Sequence, residues 1–93
     1  AGMEVYYRGM AGLLLELCEQ ELSSKEGDQN PYQQKANDNL GCVQTARTIL
    51  DAGITHDSKD RALWDARERV ECDYARNTLK ANQVRLRRDH ALE

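Results

Sequence analysis

Five cationic side chains lie close together near the end of the sequence, and phosphate binding is the first chemistry that they suggest. They are Arg76, Lys80, Arg85, Arg87 and Arg88, and no acidic residue interrupts residues 76–88. Cations that neutralise phosphates release counterions, so such binding depends steeply on salt. Cations near the C-terminus of a helix also complement its dipole, for about 0.3–1 kcal/mol each, without any ligand.

The arrangement of these cations favours a solvated or partner-facing role over nucleic-acid binding. On a helical wheel, Arg85 and Arg88 point away from the other three, so no continuous basic face forms. No aromatic side chain is interleaved among them to stack on bases. Residues 1–30 hold six acidic and two basic residues. The basic end can therefore pair with the acidic end of a second copy or with an acidic partner protein.

Three cysteines, Cys18, Cys42 and Cys72, form the next group with potential chemistry. Each falls near the middle of a predicted helix, which places the three thiols in about the same layer. Structural zinc usually takes four ligands with close pairs in sequence, and neither His56 nor His90 is expected nearby. We therefore expect no metal and no cofactor, and we interpret the cysteines as small buried side chains. An odd number of cysteines without a CxxC pair favours a reduced, cytosolic protein.

The tripeptide His56-Asp57-Ser58 contains the residue types of a hydrolase triad. Adjacent residues at a helix start cannot adopt the geometry of a triad, in which the base lies between nucleophile and carboxylate. Helix capping accounts for Asp57 and Ser58 without catalysis. No other convergent polar constellation is present in the sequence, so we expect that the protein is not an enzyme.

Composition predicts one all-α domain over residues 1–93. Hydrophobic residues make up 40% and charged residues 31% of the chain, with one proline and a net charge of −3. That balance is too apolar for a disordered chain, and the low proline content favours helix. The apolar run "GMAGLLLELC" is short and is followed by more acids, so we expect neither a secretory leader nor a membrane span. A cytoplasmic location follows from these expectations.

Apolar periodicity predicts a three-helix up-down-up bundle. The first helix covers residues 4–26, with an apolar arc of about 200° that exceeds the needs of one neighbouring helix. The second covers residues 31–52, starting at Asn30-Pro31 and stopped by Gly53. The third covers residues 58–92, capped by Asp57 or Ser58. It contains no glycine or proline that would end it. At ~1.5 Å per residue it is longer than the other two helices, so we expect it to overhang the bundle by about a dozen residues.

The predicted third helix carries two apolar stripes. One contains Ala62, Leu63, Ala66, Val70, Tyr74, Ala81, Val84 and Leu92. The other lies about 160° away. It contains Trp64, Cys72, Ala75, Leu79 and Leu86. Two opposed stripes mean either that the helix is sandwiched within the bundle or that one stripe meets another molecule. We favour the second stripe as a protein interface, while Trp64 fits an interface anchor and an ordinary core residue equally well.

These features predict a small cytosolic protein-interaction module. It would act as an adaptor, a chaperone-like protein or an inhibitor by laying apolar helix faces on a partner protein or on a second copy, with a homodimer expected. The alternative is a nucleic-acid-associated regulator that uses the basic end of the third helix.

Overall fold

The computed structural model describes residues 2–26 and 41–93, and within these ranges the chain is helical, without a strand. The predicted all-α class is confirmed. The elements, in chain order, are α1 (Gly2–Glu26), α2 (Gly41–His56), α3 (Arg61–Arg69), a π turn (Val70–Tyr74) and α4 (Thr78–Ala91). The predicted boundary around Gly27, Asn30 and Pro31, and the first turns predicted for the second helix, lie outside the described residues.

Helices α1 and α2 run antiparallel and are fastened at both ends of their contact. At one end, a disulfide joins Cys18 to Cys42, with the two Cα atoms 5.3 Å apart. At the other, the Tyr7 side chain packs against Gly53. The expectation of three reduced cysteines is wrong for this pair. Residues 24 positions apart are brought together by the antiparallel packing, which sequence spacing alone does not reveal.

Gly53 lies inside α2 and does not end it, so the predicted helix end at residue 52 is wrong. The helix continues to His56. A Cβ atom at Gly53 would lie 3.0 Å from the Tyr7 side chain and 3.1 Å from Cδ1 of Leu63. Glycine suits this point because α1 and α3 both approach the α2 backbone, and a side chain here would require Tyr7 or Leu63 to shift.

Asp60 caps α3, so the predicted caps Asp57 and Ser58 are wrong by two or three positions. The Asp60 carboxylate accepts a hydrogen bond from the Ala62 backbone N–H at 3.0 Å. Its second oxygen accepts from Nε of Arg8 on α1 at 2.8 Å. A side chain that caps one helix and pairs with another is favoured over Asp57 and Ser58, because it satisfies two requirements at once.

The helix that begins at Arg61 widens into a π turn and then ends at a left-handed residue. The Ala75 N–H donates to Val70 O at 2.8 Å, and the Asn77 N–H donates to Glu71 O at 2.8 Å. Arg76, between them, has φ 54°. A left-handed residue commonly ends a helix, although it is usually glycine. Here a non-glycine residue accepts about 1 kcal/mol of backbone strain.

A new helix begins directly after this turn. The Asn77 side chain caps α4 by accepting a hydrogen bond from the Lys80 N–H at 3.0 Å. Asparagine is among the best N-cap residues, which explains why the chain restarts here. The prediction of one continuous helix over 58–92 is therefore wrong.

Helix α4 folds back along α3, so the predicted overhang is also wrong. Arg85 pairs with Glu68, and Arg88 pairs with both Asp65 and Glu68, which makes the two helices antiparallel. At the far end, the Lys59 ammonium donates to the Ala91 carbonyl oxygen. The basic residues that were expected to project beyond the bundle lie along its side.

One apolar core joins all the elements. Its fully buried large residues come from α2, α3 and the π turn and include Val43, Leu50, Leu63 and Val70. Helix α1 contributes Ala11, Leu14 and Cys18, and α4 contributes Ala81 and Val84. The first predicted stripe of residues 58–92 is thus largely the core-facing side, since five of its eight members are buried: Leu63, Val70, Tyr74, Ala81 and Val84.

Candidate functional site

The outer face of α1 carries an exposed row of apolar side chains, which we call the α1 stripe: Tyr6, Met10, Leu13 and Leu17. Their spacing of four, three and four residues places them along one line of the helix. Tyr6 is 55% exposed, Leu13 58% and Leu17 54%, and Met10 is half-buried. The wide apolar arc predicted for this helix therefore divides into a side that faces the core and a side that is uncovered in the described fold.

Two glycines lie beside the α1 stripe without a packing role in the described residues. A Cβ atom built on Gly9 or on Gly12 would meet no described atom within 4 Å. Each glycine inside a helix costs up to ~1 kcal/mol relative to alanine. Contacts within the described fold therefore do not account for them, in contrast to Gly53, whose close neighbours do.

The five residues predicted as a protein interface are separated by the turn at residues 75–77. Trp64 and Ala75 are buried in the core of the chain itself, and Cys72 is half-buried. The Trp64 ring N–H donates to Ser58 O at 2.7 Å. Leu79 and Leu86 are 69% and 72% exposed. The surface part of the prediction is thus Leu79 and Leu86, which we call the α4 stripe.

The predicted basic cluster is largely engaged within the chain. Nε of Arg85 donates to Glu68 Oε1 at 2.5 Å, and Nη1 of Arg88 donates to Glu68 Oε2 at 2.8 Å. The Arg87 guanidinium lies 5.3 Å from the centre of the Trp64 ring. Arg76 is exposed at the turn, and Lys80 is half-buried. Because acids interleave with these cations, the surface does not present the continuous positive face that phosphate binding requires.

A buried ion-pair network joins α2 to the π turn, and sequence reasoning missed it. The Glu71 carboxylate is fully buried and accepts hydrogen bonds from Nε of Arg47 at 2.9 Å and from Nη1 of Arg67 at 2.5 Å. Nε of Arg67 also donates to Asp51 at 2.9 Å. The network contains two arginines and two carboxylates and is therefore formally neutral.

The two arginines keep Glu71 charged although it is buried. Burial raises the pKa of Glu71, but the hydrogen bonds and charges of Arg47 and Arg67 outweigh it, so the pKa lies below its usual range. The pKa of Asp60 is lowered chiefly by the hydrogen bond from Arg8, against the opposing effect of burial. A carboxylate held ionised between two arginines is a poor proton donor or acceptor near neutral pH, so this network fits a structural role.

A shallow open depression lies beside Cys72, between α3 and the π turn. Asp65, Glu68, Arg69, Cys72 and Asp73 line it, and its volume is about 340 Å³. The lining residues are predominantly acidic and include no histidine that could act as a base toward the thiol. Nor does the described part of the chain bring together three or more His, Cys, Asp or Glu side chains in a way that could hold a metal ion.

The tripeptide His56-Asp57-Ser58 starts at the last residue of α2 and continues into the connection to α3. The Asp57 carboxylate accepts a hydrogen bond from the Lys59 N–H at 3.2 Å, a local turn contact. The His56 ring lies 5.7 Å from the Tyr7 ring. These contacts stabilise the loop and the end of α2, and they do not form a nucleophile–base pair.

The disulfide bears on the compartment expected from the sequence. Disulfides are typical of oxidising compartments, so the cysteines no longer support the expectation of a reduced, cytosolic chain. In residues 2–26 and 41–93, every helix is too short or too polar to cross a bilayer.

No family model, curated protein or solved structure matches the chain.

Proposed function

We propose that the protein is a protein-interaction module that acts through the apolar outer faces of α1 and α4. The observation that carries this proposal is the exposure of the α1 stripe and of the α4 stripe, each with large side chains more than half exposed. Burying a leucine contributes about 1.5–3 kcal/mol, so covering several of them is a substantial driving force for association.

The spacing of the stripes supports helix-to-helix docking over binding of a small molecule. Residues Tyr6 and Leu13 are seven positions apart, as are Leu79 and Leu86. A seven-residue repeat keeps apolar side chains along the seam between two helices. The depression beside Cys72 is open and polar, unlike the enclosed, mostly apolar pockets that bind small ligands. An adaptor, a chaperone-like protein or an inhibitor would each work in this way.

Site-specific photo-crosslinking tests the proposal. A photoreactive benzoylphenylalanine replaces Leu13 or Leu86 in turn, and the matched control carries it at Thr45, an exposed position on α2. Both the purified chain and the chain in an extract of its native cells are irradiated. We expect covalent protein adducts at positions 13 and 86 that exceed those at position 45, and the adduct mass identifies a second copy or a different protein. Equal yields at all three positions would contradict the proposed function.

A further inference from the structure

We propose that two copies of this chain exchange α4, so that α4 of one copy packs on α3 of the other. The inference goes beyond the proposed function, because it concerns the side of α4 that faces α3 and not the exposed α4 stripe. The fold itself shows what covers this surface of α3, since α4 of the same chain lies on it. In the exchanged pair, the identical helix of a second copy makes the same contacts.

The turn that leads into α4 is short and strained, which favours the exchange. Only Ala75, Arg76 and Asn77 separate the π turn from α4. Arg76 has a left-handed φ of 54°, a conformation that is unfavourable for a residue with a side chain. Short hinge loops under strain favour domain swapping, because opening the hinge relieves the strain while the packing is regained in the pair.

The sequence around this turn can continue as a single helix. Residues 58–93 contain no glycine or proline, and the alanine and arginine at positions 75 and 76 are strong helix formers. In the open form, α3, the π turn and α4 therefore join into one helix from Arg61 to Ala91. The continuous third helix predicted from periodicity is wrong for the closed form, which is the described fold, and corresponds to the open form.

The antiparallel packing of α3 and α4 lets two open chains close on each other. When two such long helices lie antiparallel, α3 of each copy lies beside α4 of the other, and the pair has two-fold symmetry. The ion pairs of Glu68 with Arg85 and with Arg88 then form between copies and no longer within one chain. The stacking of Arg87 on the Trp64 ring is exchanged in the same way.

The core of the chain does not depend on which copy supplies α4. Among the described residues, α4 packs on α3 and the π turn and not on α1 or α2. The largest fully buried side chains, including Leu50, Leu63 and Val70, lie outside α4. Helix α4 adds the buried Ala81 and Val84, which both forms cover equally. The balance between the forms is therefore set by the turn and by the cost of association.

Two substitutions in the turn shift this balance in opposite directions. Asn77→Ala removes the cap on the Lys80 N–H, which only the closed form uses, for about 5-fold at each of two turns. We expect the dissociation constant of the dimer to fall by about 25-fold. Arg76→Gly suits the left-handed conformation and weakens a continuous helix, so it should raise that constant by at least a similar factor. Gln83→Ala, at an exposed position that is helical in both forms, should leave it unchanged.

The dissociation constants are measured by light scattering after the chains are refolded from urea at increasing concentration. Crosslinking then shows whether α4 is exchanged in the dimer. The variant Glu68→Cys/Arg85→Cys places two thiols across the contact of α3 with α4, and Cys72→Ser removes the remaining free thiol. A short bismaleimide joins the two thiols in the separated monomer and dimer fractions. Should circular dichroism show a loss of helicity, Asp65→Cys/Arg88→Cys replaces the first pair.

We expect the dimer fraction to give covalent dimers of twice 10.6 kDa on a denaturing gel, and the monomer fraction to give links within one chain. A dimer fraction with links only within single chains would overturn the inference. Chains that stay monomeric at every concentration, Asn77→Ala included, would also overturn it. The proposed function is tested separately, because its adducts form at positions 13 and 86, outside the contact of α3 with α4.

Discussion

Between α2 and the π turn, a buried carboxylate is paired with two arginines, whereas leucines on the outer faces of α1 and α4 are exposed. The Glu71 carboxylate is fully buried, and every buried side-chain nitrogen or oxygen in the described residues has a hydrogen-bond partner. Leu86, by contrast, is 72% exposed. The buried polar groups therefore have partners, whereas several large apolar side chains on the outer faces of α1 and α4 are exposed.

Removing the buried carboxylate of Glu71 should have the largest effect on the free energy of unfolding. In Glu71→Leu, Arg47 and Arg67 keep their charges and lose the carboxylate that they share, while Arg67 keeps its contact with Asp51. Removing one partner of a buried ion pair costs about 3–5 kcal/mol, which we expect as the loss in free energy of unfolding measured with urea. The control Asp73→Ala removes an exposed partner of Arg69 and should cost at most about 1 kcal/mol.

The same site also allows a stricter form of the experiment. In Arg47→Met/Arg67→Met/Glu71→Leu, the apolar replacements remove both charges and their partner together, so we expect recovery of most of the stability lost in Glu71→Leu. A Glu71→Leu loss no larger than that of Asp73→Ala would show that the network does not hold α2 to the π turn.

Reduction of the disulfide should have the second largest effect. The bond closes a loop between residues 24 positions apart, and the chain-entropy relation gives about 3.5 kcal/mol for a loop of that size. We expect dithiothreitol to lower the free energy of unfolding of the wild-type chain by about this amount. The variant Cys18→Ser/Cys42→Ser should be insensitive to the reductant. Titration of three free thiols in the unreduced, unfolded chain would contradict the pairing, since only Cys72 is expected to react.

Alanine substitution of one buried and one exposed glycine compares the core with the surface of α1. Gly53→Ala places a Cβ atom 3.0 Å from the Tyr7 side chain, and we expect overpacking to cost about 1–3 kcal/mol. Gly9→Ala meets no described atom within 4 Å, and the gain in helix propensity should stabilise the isolated chain by up to ~1 kcal/mol. Thermal unfolding at low protein concentration measures both. A neutral or stabilising effect of Gly53→Ala would mean that the contact at Gly53 is not tight.

Acidification should weaken the ion pairs that Glu71 makes with Arg47 and Arg67. The pKa of Glu71 is lower in the folded chain than in the unfolded one, so its contribution to stability is complete above the ordinary glutamate pKa and is lost as pH falls below that value, through the lowered pKa. One proton corresponds to about 1.4 kcal/mol per pH unit. In Glu71→Gln, the free energy of unfolding should therefore change less with pH in this acid range, by up to about 1.4 kcal/mol per pH unit. An unchanged slope would contradict the lowered pKa.

The smallest predicted effect concerns the turn that separates α3 and the π turn from α4. Arg76→Gly relieves the strain of a left-handed residue and should raise the free energy of unfolding by about 1 kcal/mol. Gln83→Gly, at an exposed position inside α4, should lower it by about 1 kcal/mol. If residues 58–92 formed one continuous helix, both substitutions would destabilise, so the sign of the Arg76→Gly effect decides between the two structures.

Local patterns in the sequence predict the helical class and much of the core-facing side. The helical state of residues 4–26 and the burial of Val43, Ala46 and Leu50 in α2 follow from helical periodicity. The cap at Asn77 also has a local signal that could have been recognised, since asparagine precedes a run of helix-forming residues.

Contacts between residues far apart in sequence account for the errors. Gly53 has the residue type of a helix end, and its packing role depends on Tyr7 and Leu63, which only the folded chain brings close. Arg47 and Glu71 are 24 positions apart, so no helical spacing rule links them. Arg76 adopts a left-handed conformation that glycine normally supplies, and no propensity scale anticipates it.

The exposed side chains of the candidate surface were predicted only in part. Leu79 and Leu86 belong to the predicted interface and are exposed, whereas Trp64 and Ala75 lie in the core. The turn at residues 75–77 interrupts the predicted stripe, so its members do not share one face. The wide apolar arc of α1 indicated a second contact, but which of its residues face outward depends on where α2 and α3 pack.

Hydroxyl-radical footprinting of the purified chain at increasing concentration tests most directly whether these outer faces are association surfaces. Mass spectrometry compares the oxidation rates of Tyr6, Leu13, Leu79 and Leu86 with that of His56, an exposed residue at the end of α2. We expect the four stripe residues to become protected as concentration rises, while His56 does not. Oxidation rates that are the same at every concentration, together with a constant mass of 10.6 kDa, would contradict it.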